Sequence, residues 1–469
     1  MAKIEIKKQK QFAVNNSGQI GQFGSAQAGT KVTSIDPDVL QNLSAFEDGW
    51  SAATVSGQNL PPLEEFNGLA YLTTRQIAYG LQEGIPEYSA DIEYHQKSIV
   101  KKTGTYELYG SITNNNQGNA LTDAANWQLL TDLSSTAANP NLIINGQGLI
   151  GQRGLSFTSS TTPSNSDDTY LLDRMLLLSD GNDIVDVSRE TSEVPQGAYS
   201  SIKFDVETAN KQFAYCQIFE AKQAVKIIGG NASLSFKAKK GGSNATLETL
   251  RAAIISWDGT EDSVTSDLVA TWAGAGTNPT LASNWTYENT PSDLTLTTSF
   301  QTFKIENVSI DTASAKNVAV LIWCDDTDAT VGDLAYIGDI KLEEGSIATP
   351  YKSESIENII LKCQRFYEKS YNLDVVPATI TYDGVYNFRS VSTYDTRTII
   401  FKAMKRANPS IVIYNPITGA TGTWRNGSRS TDDAVTAASP AEQGYIAATS
   451  GHTAPGDSIV GHWTADAEL

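Results

Sequence analysis

Histidine is almost missing from this chain: His95, His452 and His462 are the only three in 469 residues. Acid–base catalysis and metal binding lean on imidazole because it titrates near neutrality, so both have little to draw on. No HExxH, GxSxG or P-loop occurs. Cysteine is as scarce. Cys216, Cys324 and Cys363 stand far apart without a CxxC, which indicates neither a disulfide framework nor a zinc knuckle and suits synthesis in a reducing compartment. Long apolar runs are lacking: Val318–Cys324 falls far short of the ~20 residues that cross a bilayer. The charged start Met1–Lys8 has no signal-peptide h-region. Positive charge is in deficit, 34 Lys+Arg against 53 Asp+Glu, or 34 − 53 = −19, a field that argues against nucleic acid as a partner. These absences still admit a glycosidase, which needs only two placed carboxylates, but 53 acidic residues single out no pair. No catalytic residue, cofactor or metal is nominated.

Three local patterns invite chemistry, and each has a plainer reading. Gly146-Gln-Gly148-Leu-Ile-Gly151 fits GxGxxG after a strand-like Leu142–Asn145. A dinucleotide site needs a helix next, whereas Gln152–Pro163 favours turns and strands, so a glycine-bearing turn is expected. Asp325, Asp326 and Asp328, with Asp333 nearby, offer hard oxygen ligands for calcium, but Val331 stands where an EF-hand turn needs glycine, and a solvated loop is the plainer reading. His452 and His462 flank a turn, where threefold symmetry could gather imidazoles around a metal; a strand and a loop histidine need no metal.

What is present is β-rich and modular, and the length implies three or four domains. Residues 1–62 are polar, glycine-rich and basic at their start, reading as an attachment arm ordered by a partner. A helix is predicted over 63–83, with Phe66, Leu69, Ala70, Ile77 and Leu81 on its apolar face and Gly84 and Pro86 as its stop. Residues 84–135 read as a small β domain rich in aromatics: Tyr88, Tyr94, Tyr106, Tyr109 and Trp127. Over 140–351, alternating segments such as Ile202–Val206 and continuous ones such as Ile254–Trp257 predict a jelly-roll-like β-sandwich. Its Trp272 and Trp285 lie in a Gly/Ala/Asn-rich loop suited to carbohydrate contact. A second helix is predicted over 352–370, with Ile356, Ile360, Cys363 and Tyr367 at spacings of four, three and four as a coiled-coil seam. Residues 371–469 return to β as a C-terminal tip. The fold class is mainly β and multi-domain.

The spacing of Tyr88, Tyr94, Gly104, Tyr106 and Asn126-Trp127 resembles small chitin-binding carbohydrate modules. That makes Tyr88, Tyr94 and Trp127 candidate sugar contacts beside a core role. Several longer stretches resemble bacteriophage tail-fibre proteins: Glu65–Arg75 continuing into Gln82–Tyr88, Asn141–Gly146 with Gln152-Arg-Gly154, Ile340–Tyr351, Cys363-Gln-Arg-Phe-Tyr-Glu-Lys369 and Ala465–Leu469. The resemblance implies an elongated homotrimer on the virion, held by residues 1–62 to a tail or baseplate protein. Ile356, Ile360, Cys363 and Tyr367 would then line the axis. Residues 371–469 would meet a host-surface glycan or protein. Within that tip, Gly419–Arg429 reads as a glycine-bounded loop. With Tyr414, its Trp424 offers a flat face and Arg425 and Arg429 could pair acidic or phosphorylated glycans. Two other readings stay open: a fibre-borne depolymerase of surface polysaccharide, though no β-helix repeat is visible, and the fibre of a phage-derived contractile particle.

Overall fold

The computed structural model describes residues 11–53, 62–132, 140–242, 246–325, 329–449 and 454–469. Strand outweighs helix, 36% to 11%, so the chain is mainly β. No helix among the described residues is long and apolar enough to cross a membrane. Two compact units divide at residue 137.

The first unit is organised by the helix Leu63–Glu83, stopped by Gly84 in a left-handed conformation. Its inward face is Glu65, Gly68, Tyr71 and Ala78. Of the predicted apolar stripe, Phe66, Ile77 and Leu81 are 60%, 48% and 51% exposed, so that stripe points outward. Residues 11–53 occupy the other side and reach the stripe at Phe66, on which Trp50 stacks with ring centroids 5.9 Å apart. They fold into short helical turns whose Ile20 and Leu40 bury against Tyr71, so this segment packs against the helix instead of standing as a free arm. The Gly21 N–H donates to Glu64 O at 2.7 Å, and Gly68 admits this approach because any Cβ there would overlap Gly21 O. The basic start, residues 1–10, lies outside the described residues.

Strands β1 (Ile99–Lys101), β2 (Glu107–Ser111) and β3 (Trp127–Asp132) form one antiparallel sheet over a core of Tyr94, Val100 and Trp127.

In the second unit the sandwich begins with β4 (Ser156–Phe157), β5 (Thr169–Tyr170), β6 (Leu176–Ser179), β7 (Val185–Glu190) and β8 (Ser201–Val206). β9 (Phe213–Phe219), β10 (Asn231–Gly242) and β11 (Thr249–Trp257) follow. An excursion carries β12 (Val269–Thr271), β13 (Thr280–Leu281), β14 (Trp285–Tyr287) and β15 (Leu294–Thr295). The long β16 (Gln301–Ser309), β17 (Asn317–Cys324) and β18 (Asp333–Glu344) complete it. One sheet runs β16-β10-β18-β8-β7-β4 and the other β14-β11-β17-β9-β6-β5, with β15 also on β11. Phe213, Tyr215 and Phe219 of β9 point between the sheets, while Ala214, Cys216 and Ile218 point to the outer face. That outer face is covered by the 258–293 excursion, so β9, β11 and β17 are apolar on both sides.

The second helix spans only Ile356–Gln364. Beyond it the chain extends into β19 (Tyr367–Lys369). The remaining tip strands are β20 (Tyr386–Arg389), β21 (Asp395–Ile400), β22 (Ser410–Tyr414), β23 (Thr423–Asn426), β24 (Thr431–Ala441), β25 (Gly444–Thr449) and β26 (Ser458–Asp466). β26 is the spine, pairing with β19, β20, β22 and β23. The predicted axial seam is not one face. Cys363 (1% exposed) and Tyr367 (6%) are buried within this chain, Ile360 is half-buried and Ile356 is 46% exposed. Ile359, Cys363 and Phe366 instead close over Ile144 and Ile150 at the sandwich entrance. Arg365 fastens the helix end to the sandwich through Glu220, at 3.0 and 2.8 Å.

Candidate ligand-binding cleft

Sandwich and tip meet along residues 465–469, which leave β26 and lie against the sandwich. Arg153 donates to Asp466 at 2.9 Å and to Glu468 at 3.4 Å. Arg174 also pairs with Glu468. The Tyr170 hydroxyl donates to Leu469 O at 3.1 Å. Buried ions are tolerated when paired, and here the buried Arg153, Arg174 and Glu468 pair with one another and with the more exposed Asp466, leaving Arg174 Nε without a hydrogen-bond partner.

Beside this junction opens a cleft of about 780 Å³, with Arg153, Asp168 and Tyr170 on the sandwich side and Tyr367, Tyr414 and Asp466 on the tip side. Thr169, Thr379, Ser410 and Thr464 add hydroxyls. The Arg153 guanidinium lies over Tyr367, 3.8 Å from its ring centroid, and 5.7 Å from that of Tyr170. Burial disfavours its charge, but Asp466 and Glu468 outweigh that and raise its pKa. Burial pushes the phenols of Tyr170, Tyr367 and Tyr414 up, so all three stay protonated at neutral pH. Partial desolvation at the rim raises the exposed Asp168 carboxyl too, and the hydrogen bond from Ser266 opposes it. The wall thus combines flat rings and hydroxyls with one cation and two carboxylates, the make-up of a site for a polar ring-shaped ligand.

A second cavity of about 720 Å³ lies beside the second helix, lined by Ile360, Lys369, Tyr371, Ile400 and Trp463 among others. Burial brings Lys369 down to about 8. Its ammonium donates to Gln152 O at 2.6 Å and Val375 O at 2.5 Å, which makes it a strut between sandwich and tip.

Of the predicted receptor contacts, Tyr414 lines the cleft and the others do not. Trp424 is fully buried, correcting the loop reading of Gly419–Arg429: Thr423–Asn426 is a strand paired with β24 and β26. The Trp424 indole packs near Tyr386 and Phe388 and donates to His462 O at 3.1 Å. Gly461 makes room for it, since a Cβ there would overlap the ring. Arg425 pairs with Asp432 at 3.0 Å and Arg429 with Asp457 at 2.5 Å, so each cation already has a carboxylate partner.

The predicted sugar contacts are also turned inward. Trp127 (3% exposed) and Tyr94 (7%) form the small domain's core, with half-buried Tyr88 packed edge-on to Trp127. Tyr106 is 63% exposed. Trp285 is buried against Trp257 and donates to Thr265 O at 3.0 Å, and half-buried Trp272 packs on the same outer sheet face. The excursion is a cover for the sheet, which its loop-like composition concealed.

His462 is buried, stacked on Tyr371 at 3.7 Å. Its Nε2 lies 3.0 Å from Thr381 O and must donate, which leaves Nδ1 to accept from Ser370 Oγ at 2.8 Å. Burial lowers its pKa. His452 and Asp326–Asp328 lie outside the described residues; Asp325 pairs with Arg251 at 3.2 Å. A strand follows the GxGxxG stretch, with no helix to receive a phosphate.

Arg153, Tyr170 and Asp466 were missed as site residues. The one signal available was that Gln152-Arg153-Gly154 and Ala465–Leu469 both belong to fibre-like motifs, without any indication that they touch.

No family model matches the chain, and no curated protein matches it. Among solved structures, the enzymatically active domain of tailspike protein 4 from bacteriophage CBA120 is similar at 15% identity and a TM-score of 0.26. The match covers 44% of this chain and 21% of that one. The carbohydrate-binding module TmCBM61, solved with β-1,4-galactotriose, is similar at 12% identity and a TM-score of 0.24, over 44% of this chain and 99% of that one. The CBM22-1 xylan-binding domain from Paenibacillus barcinonensis Xyn10C gives 10% identity and a TM-score of 0.24, over 45% and 98%. At such scores none of the three supports an inference about this chain.

Proposed function

We propose that the chain is the subunit of a homotrimeric phage tail fibre, located on the virion, that adsorbs to a host-surface glycan through the cleft between sandwich and tip. The observation that carries the glycan reading is the pair of half-buried tyrosines, Tyr170 and Tyr414, set among hydroxyl side chains around that cleft. Sugar rings bind by stacking on such faces while hydroxyls exchange hydrogen bonds. The fibre reading rests on the motifs between residues 65 and 469, and attachment to a tail or baseplate protein is assigned to the N-terminal segment.

The trimer contact moves from the second helix to the first. Leu63, Phe66, Ala70, Ile77 and Leu81 follow spacings of three, four, seven and four. Four of them are large and about half or more exposed on a 21-residue helix.

Adsorption to host cells tests the cleft. Tyr414→Ala is expected to lower adsorption at least tenfold while the melting temperature stays within a few degrees of the parent. Unchanged adsorption by the folded variant would remove the cleft from the proposal.

A further inference from the structure

We infer that the cleft selects a glycan without acidic groups and discriminates against uronate-, sialate- and phosphate-bearing ones, an inference that rests on the glycan reading above. The cleft lining holds one cation and two carboxylates, Arg153 against Asp168 and Asp466. The cation is already spent: Arg153 is 5% exposed, donates to Asp466 and Glu468, and has its flat face on Tyr367. An incoming anion would have to displace two internal carboxylates to reach it. Asp168 is the opposite case. It is exposed at the rim, accepts a 3.0 Å hydrogen bond from Ser266, and stands in the field of Asp167 and Asp267. A ligand anion entering past this group meets like charge, while a neutral hydroxyl finds a strong acceptor. The tip arginines nearby are each paired with a carboxylate, Asp432 and Asp457, which offsets their pull on an anion. The chain as a whole carries −19. Selectivity of this kind comes from repulsion built against the wrong ligand as much as from contacts to the right one.

The test uses the full chain on an array of matched pairs: N-acetyllactosamine and its sialylated form, glucan and glucuronan oligosaccharides, and lipopolysaccharide core oligosaccharides before and after dephosphorylation. For the pairs that bind, the member without the acidic group is expected to bind about tenfold tighter at low ionic strength. The gap should shrink as salt screens the rim charge. Asp168→Asn, which keeps the side-chain shape and its acceptor oxygen, should narrow the gap several-fold, with a thermal melt to verify folding. Equal or tighter binding of the acidic members overturns the inference, and so does a gap that Asp168→Asn leaves untouched. Binding by neither member of any pair fails the glycan reading itself, and the selectivity with it. Tyr414→Ala, which removes a ring and no charge, should weaken both members alike; a shift in their ratio would place discrimination elsewhere.

Discussion

The two helices, Leu63–Glu83 and Ile356–Gln364, carry the same kind of apolar pattern and use it in opposite ways. The short one turns Ile359 and Cys363 into its own chain, over Ile144 and Ile150. The long one leaves Leu63, Phe66, Ile77 and Leu81 exposed and spends a face containing Glu65 and Gly68 on the segment before it. Periodicity therefore identifies an apolar stripe but not its occupant. What decides is the competing surface each helix meets: a preformed sandwich in one case, and in the other a preceding segment whose Ile20 and Leu40 close on Tyr71 and whose Trp50 reaches the stripe at Phe66.

The largest blow to this contrast falls on the inward side. Phe366 is fully buried beneath the second helix, with the Arg174 guanidinium 3.6 Å from its ring centroid. Phe366→Ala should lower unfolding stability by about 3–5 kcal/mol, read by urea titration. A loss below about 1 kcal/mol would show that the helix is not anchored there. Next comes the inner face of the long helix, where Gly68→Ala sets a methyl group against Gly21 O. A loss of about 1–3 kcal/mol is expected in the first unit, with residue-resolved amide hydrogen exchange separating it from the second.

Two carboxylates, one in each unit, should contribute to stability with opposite pH dependence. Burial, then Glu207, Asp183 and Asp205, push Asp186 in the second unit up to about 6, above its ordinary 3.8. The folded state then keeps a proton that the unfolded chain releases, so this group's contribution falls as pH rises from about 4 to about 6. Asp186→Asn should flatten the second unit's stability profile over that window. Asp123 in the first unit is held below the ordinary carboxylate value by hydrogen bonds from Asn126 and Ala125. Its contribution is present above that ordinary value and is lost as pH falls through the lowered one, the reverse sign. Calorimetry of the Asp186→Asn and Asp123→Asn variants beside the parent from about pH 2 to about pH 7 would show both trends; changes of the same sign would contradict the assignment.

The smallest effect on folding is expected on the outward stripe. Ile77→Asp should change unfolding stability by no more than about 0.5 kcal/mol yet abolish self-association in sedimentation. A variant that still sediments as a trimer would place the contact elsewhere.

Much of the fold was legible because its strands are strongly patterned. Val318–Cys324 reads as a central strand because both its faces are covered, and Gly84 with Pro86 marks the helix end. The cleft was legible only at Tyr414. Arg153 meets Asp466 across 313 residues of sequence, and no local pattern records such a pairing. Trp424 misled because its neighbours are those of a loop. Its burial depends on Gly461, a glycine within a strand that gives no sign of which ring will lie over it.

The position of β26 bears on how the protein is made. Four strands of the tip, β19, β20, β22 and β23, hydrogen-bond to residues 458–466. On the ribosome those four emerge earlier and have to wait, their ladder partners still untranslated or in the exit tunnel. The sandwich, complete by Glu344, can fold in that interval, as domains do during synthesis. Closure of the tip is then a late event in translation, and a ribosome stalled anywhere between residues 370 and 457 presents unpaired strand edges for chaperones to cover.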